Sequence, residues 1–159
     1  QNVCRVAARR TGHFLRKAGG LIPLAAAILW LLSHITPHGT PTDAGECSLL
    51  AVFSGAIAPV FAPLGFGCWQ AVAALISGIA AKETVLSALA VFAGGDLGAL
   101  AGMFSPRGAL SFLCFFATYT PCVATLGAVR REGGWRALFG CLLLSFAGAY
   151  ALSFAVYHL

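Results

Sequence analysis

The chain has 159 residues, of which 59% are hydrophobic and only 9% charged, with a formal net charge of +5. Soluble domains carry about 25% charged residues, so a water-soluble globule is excluded and the chain reads as an integral membrane protein. The positive charge does not indicate nucleic acid, because Arg5, Arg9, Arg10, Arg16 and Lys17 all fall before Ala18 and three more basic residues fall between Arg130 and Arg136; basic clusters flanking apolar runs are what membrane topology requires.

Residues 1–13 form a basic juxtamembrane segment, and a chain that begins at Gln1 rather than Met reads as a piece of a longer protein. The first apolar segment, 14–35, is long enough to cross a bilayer. It ends in "SHITPHGTPTDAGE", a loop with two acids and no Lys or Arg. The charge difference places the N-terminus in the cytoplasm and this loop outside. The loop's His34, His38, Asp43 and Glu46 are irregularly spaced and read as a solvated loop rather than a metal site.

Residues 47–67, "CSLLAVFSGAIAPVFAPLGFG", are apolar but interrupted by Gly55, Pro59, Pro63, Gly65 and Gly67. They predict a short helix over Leu49 to Ile57 followed by an extended Pro-rich piece. The next span is 69–92, with Trp69 at the outer interface and Lys82-Glu83 inside it. Segments 109–129 and 135–157 follow. If all four segments cross, the Arg130–Arg136 loop lies outside, against the positive-inside rule. Segment 109–129 is therefore either a hairpin that dips in and returns or a kinked crossing helix, and the residues leave both open. The fold class expected is all-α: a polytopic membrane helix bundle with broken or re-entrant helices.

The stretch "SFLCFFATYTPCVATLGAVRRE", residues 111–132, carries the first chemical signal. Pro121 has no amide hydrogen, so the carbonyl of Ala117 loses its helical donor. Tyr119, Thr120, Pro121 and Cys122 then bring freed carbonyls, a hydroxyl and a thiol to one depth, as where transporters bind ions at discontinuous helices. A thiolate suits a borderline-soft transition metal better than sodium or magnesium. The alternative is that Pro121 merely kinks a helix and Cys122 is packing.

Charges deep in a span cost roughly 2.5–3.5 kcal/mol each on insertion scales, so they tend to be functional. Lys82 and Glu83 point about 100° apart on a helix, and each needs its own partner. Glu83, the sole acid inside an apolar segment, is the natural carboxylate for a cation. Alternatively the span ends near Ala81 and Lys82 snorkels to the interface. The six cysteines form no CxxC pair, and no enzyme constellation or nucleotide-binding GxxxxGK[ST] is present.

Four stretches together, "FLRKAGGLIPLAAAILWLLS", "IAPVFAPLGFGCWQAVAALISGIAAKETVLSAL", "FSPRGALSFLCFFATYTPCVATLGAVRRE" and "WRALFGCLLLSFAGAYALSFAVYHL", resemble the C-terminal part of bacterial ferrous iron transport protein B. The resemblance runs from about Phe14 onward and makes 14–159 a membrane gate domain, the second of the family's two. It implies a multi-pass permease of the bacterial inner membrane, with Fe(II) as the transported ion. GTP would act only through a GTPase domain that, like the first gate, this chain lacks. The implied function is therefore transport and not an enzyme activity of this chain. The family's Pro-Cys motif falls on Pro121 and Cys122 and its Ala-Lys-Glu on Ala81, Lys82 and Glu83. The resemblance implies that Cys122 is an Fe(II) ligand; with the residue chemistry above, Thr120 and freed carbonyls would help it at the helix break of Tyr119, Pro121 and Lys82, and Glu83 would supply charge, unless its motif holds the gate's shape. Expected partners are membrane lipid, Fe(II), the missing regions and a second copy in a homo-oligomer, with no nucleic acid. Two other readings stand beside this one: a nucleoside-type or other small-solute permease sharing the gate architecture, and a non-transporting membrane scaffold.

Overall fold

The computed structural model describes residues 12, 20, 23–24, 26–37, 39–41, 47–80, 82, 84–95, 102–119 and 122–159. The described residues are all-α, apart from one isolated bridge between Ile35 and Pro41, and form a membrane helix bundle with broken helices. The basic segment 1–13, Gly12 excepted, and most of 14–25 lie outside the described residues; residues 26–34 are helical.

Ser48 begins α1 (Leu49–Phe61) by accepting a hydrogen bond from the Ala51 amide, which satisfies one orphan donor of the first turn. The helix runs through Pro59 instead of ending at Ile57. Pro59 sits in its last turn and removes only the bond to the Gly55 carbonyl, a loss membrane helices tolerate. No extended piece follows: a 3-10 turn, Ala62–Leu64, closes on Gly65, whose φ of 82° suits glycine. The chain then bends by 103° into the next helix.

Segment 69–92 is not one crossing helix. It breaks at residues 81–83 into α2 (Trp69–Ala80) and α3 (Thr84–Phe92). The two lie antiparallel. Trp69 meets Phe92 at the base, ring to ring at 5.8 Å, and Gly78 meets Val85 near the tip. Their lengths are about 18 Å and 14 Å at 1.5 Å per residue, half of a bilayer's ~30 Å hydrocarbon core. The apolar run is therefore a helical hairpin with Lys82 in its turn. A charge in the middle of a span is costly; folding the run back on itself brings that charge to a place where it finds partners.

Ser105 caps α4 (Pro106–Thr118) through the Gly108 amide, with Pro106 at the first turn, where its missing N–H costs nothing. The last helix, α5 (Val123–His158), is two helices joined at Gly134, which has φ 72° and ψ −171°. The α4 helix packs antiparallel to the C-terminal part of α5. Ser111 Oγ donates to the Ser153 carbonyl at 3.0 Å and Ser153 Oγ returns a bond to the Ser111 carbonyl at 2.9 Å, both side chains fully buried. Small hydroxyl residues allow this backbone approach between membrane helices. Around them Phe115 is the hub, touching the rings of Phe61 at 5.3 Å and of Phe66 and Phe146 at 5.7 Å.

By length and composition, Thr125–His158 can cross a membrane, and the bent pair Leu49–Leu64 with Trp69–Ile79 passes the same test jointly. Phe139, Leu143 and Leu144 of α5 are exposed by 63%, 75% and 77%, a face that suits lipid. Along residues 135–158, His158 lies about 18 Å to one side of Phe146 and Trp135 about 16 Å to the other. Phe115, beside Phe146, thus places the end of α4 near the middle of that stretch. Segment 109–129 is interrupted between α4, which ends at Thr118, and α5, which begins at Val123.

The hairpin makes a testable statement about topology. In a background without other cysteines, Gln70→Cys and Ala93→Cys should both react with a membrane-impermeant thiol reagent applied from the same side of sealed vesicles. Labelling from opposite sides would mean that 69–92 crosses.

Candidate functional site

The two interruptions meet. At the end of α4 the last carbonyls have no helical donor, and three of them face the tip of the α2–α3 hairpin. Lys82 Nζ donates to the carbonyls of Tyr119 at 3.1 Å, Phe116 at 3.3 Å and Ala117 at 3.4 Å. An ammonium has three N–H donors, so one cation serves all three acceptors. It also lies 5.0 Å from the Tyr119 ring centroid and 6.0 Å from that of Phe116, within reach of cation–π attraction for the nearer ring. The Ala117 carbonyl is the one that Pro121 deprives of a donor, and Lys82 supplies the replacement. Although α2 ends at Ala80, Lys82 does not snorkel outward; it reaches across to another helix.

Tyr119 fixes the junction from the other side. It is 5% exposed, its amide closes α4 on the Phe115 carbonyl at 2.7 Å, and its hydroxyl donates to the Leu75 carbonyl of α2 at 2.7 Å. Gly78 makes room for this. A Cβ built there would come within 2.5 Å of the Tyr119 hydroxyl and would run into Val85. Beneath the junction lies an apolar cavity of about 160 Å³, lined by residues that include Leu75, Ile79, Phe115, Tyr119 and Phe146.

Cys122 is the residue before α5, half-buried and extended at φ −61° and ψ 161°. Its carbonyl accepts from the Leu126 amide at 3.0 Å, and its Sγ lies 3.4 Å from Thr125 Oγ1. Glu83, Thr120 and Pro121 lie outside the described residues. Among the described residues no group of three or more His, Cys, Asp or Glu side chains gathers for a metal. Of the outer-loop candidates only His34 is described, stacked on Trp30 at 4.4 Å.

Of the six residues that sequence reasoning placed at the break, Lys82 and Tyr119 are joined directly, and Cys122 follows in the same chain turn. Gly78, Leu75 and Phe116 were missed as parts of the junction. A signal existed for one of them: Gly78 lies four residues before Lys82 and seven before Val85, a spacing that would put all three on one face of an unbroken helix. The Leu75 contribution is a main-chain carbonyl, which no side-chain pattern announces.

Two substitutions test this geometry. Gly78→Ala should lower the stability of the detergent-solubilised chain by about 1–3 kcal/mol, the usual cost of overpacking. Tyr119→Phe should lower it by about 1 kcal/mol for the lost hydrogen bond. Thermal unfolding followed by circular dichroism reads both, and an unchanged midpoint for Gly78→Ala would contradict the close approach.

The chain was compared with known proteins. It is 35% identical over 151 residues to an Fe(2+) transporter, FeoB, of Staphylococcus aureus strain MSSA476, covering 92% of this chain and 23% of the relative. It is 36% identical over 160 residues to the Fe(2+) transporter FeoB of Methanocaldococcus jannaschii, covering 91% and 24%. An Fe(2+) transport protein A/Fe(2+) transporter FeoB fusion protein of Porphyromonas gingivalis is 29% identical over 203 residues. The chain spans about a quarter of the length of these curated relatives. No solved structure matches it. The family model described as "Gate: Nucleoside recognition" matches residues 15–136, most of the chain, including both helix breaks, and on that match the chain belongs to the Gate family.

Proposed function

We propose that this chain is the membrane permease part of a GTP-dependent ferrous iron uptake transporter, passing Fe(II) across the bacterial inner membrane. The observation that carries the reading is the meeting of two interrupted elements of half-membrane length around Lys82 and Tyr119, with the Cys122 thiol leading into the next helix. The relatives named as Fe(2+) transporters support the choice of ion.

In this proposal Cys122 ligates Fe(II), for which a sulfur donor is well suited. Thr120 contributes oxygen and Glu83 negative charge. Pro121 keeps the helix broken, while Tyr119 and Lys82 hold the break closed. GTP is used in another region of the transporter, since this chain has no phosphate-cradling GxxxxGK[ST]. That GTPase region and a first gate are its partners, and 14–159 acts as one membrane gate domain.

Charge placement supports an orientation. With 69–92 re-entrant, one crossing drops out, and Arg130, Arg131 and Arg136 share the cytoplasmic side with the basic segment 1–13. The conflict that four crossings created is removed. The hairpin and α4 then enter from the outer face, on the side of Arg107 and His158.

The family description mentions nucleoside recognition, but the cavity at the junction does not favour a nucleoside. Its walls are aliphatic and aromatic side chains, and the Tyr119 hydroxyl among them already donates to Leu75. Sites that recognise polar solutes hold several convergent polar groups.

Replacing Cys122 by Ser in the transporter that carries this chain should lower the initial rate of labelled Fe(II) uptake into vesicles by about tenfold, the low end of losses seen when metal sites are altered. Uptake at the parental rate would remove Cys122 as a ligand.

A further inference from the structure

We propose that the three carbonyls at the broken end of α4 form a cation-binding site, and that the Lys82 ammonium is its tethered occupant, a plug that a metal cation must displace to take the site. The proposal rests on the permease reading for its purpose but not for its geometry.

The geometry is that of cation coordination. The carbonyls of Phe116, Ala117 and Tyr119 converge on one point, at 3.1–3.4 Å from Lys82 Nζ. The Phe116 and Ala117 carbonyls belong to the last turn of α4, the negative end of its dipole, which favours positive charge, and the Tyr119 carbonyl follows from the extended C-cap residue. Rings of main-chain carbonyls replace the hydration shell of ions in channels, and half-helix C-terminal ends coordinate cations in transporters. The faces of Tyr119 and Phe116 add further negative potential. A lysine is a compact point charge on a flexible stem, so it can leave without disturbing the helices. The stem comes from the hairpin, whereas the carbonyls belong to α4, so the cation and its site sit on different elements.

This occupancy has a cost for any competing ion. An ammonium in the site repels a second cation at contact distance. A site that is open for only a fraction of the time binds with an affinity reduced by that fraction. Removing the ammonium while keeping the carbonyls should therefore strengthen cation binding, the reverse of what removing a ligand does.

Mn2+ is the probe, a divalent ion that accepts oxygen donors and reports its free concentration by electron paramagnetic resonance. Lys82→Met in the full chain should bind Mn2+ about tenfold more tightly than the parent, as expected for a site otherwise open about one-tenth of the time. Lys82→Arg, which keeps a cation in place, should not gain this affinity. A second measurement uses the parent itself. Lys17 and Lys82 are its two lysines, so reductive methylation followed by mass spectrometry reads Lys82 against an internal reference. Saturating Mn2+ should raise the Lys82 labelling rate several-fold and leave Lys17 unchanged. A folded Lys82→Met chain with parental Mn2+ affinity overturns the proposal. Where that variant does not fold, a Lys82 labelling rate indifferent to Mn2+ overturns it. The iron reading fails separately, on Fe(II) uptake by Cys122→Ser, so the two are told apart.

Discussion

A backbone carbonyl with no donor costs several kcal/mol in hydrocarbon, and this apolar chain breaks a helix after Thr118. Everything around the break answers that constraint. The end of α4 exposes three acceptors at once, and one ammonium from a different helix pair satisfies them. Because the donor is Lys82, the hairpin that carries it must bring its turn to the end of α4. Because α2 has to come close enough for Tyr119 to bond the Leu75 carbonyl, position 78 has to be glycine-sized. A half-buried charge and a broken helix, each unfavourable alone, thus become compatible by facing one another.

Much of the fold was legible in the residues. Composition excluded a soluble protein, and Pro121 with its neighbours located the break after α4, which ends at Thr118. The hairpin was not legible. A run of apolar residues has the right length either to cross once or to enter and return, and the decision lies in pairings such as Trp69 with Phe92. Lys82 announced itself as a charge that needed a partner. The partner proved to be main chain 34 to 37 residues away, and local periodicity carries no information at that range. Pro59 misled in the opposite sense, because a proline in the last turn of a helix gives up one bond without ending it.

The candidate metal side of the site was read from residue chemistry, and the structure adds most where main chain does the work. Cys122 stands immediately before α5 with Thr125 Oγ1 3.4 Å away, so the thiol and the carbonyl cluster lie on opposite sides of the same interruption. Sulfur and carbonyl oxygen differ in softness. In the proposed permease, a metal at the break would have oxygen donors on one side and a sulfur donor on the other, a combination better suited to a borderline metal than to alkali ions.

The paired serines of α4 and α5 have a mechanical meaning. Each hydroxyl grips the opposite main chain, Ser111 to Ser153 and back, so sliding either helix by a single residue breaks both bonds together. That double clasp locks the register and makes α4 a fixed wall against the long helix. Relative movement at the break must then come from the other side, from a short two-helix arm fastened to the wall by a tyrosine hydroxyl and a lysine tip.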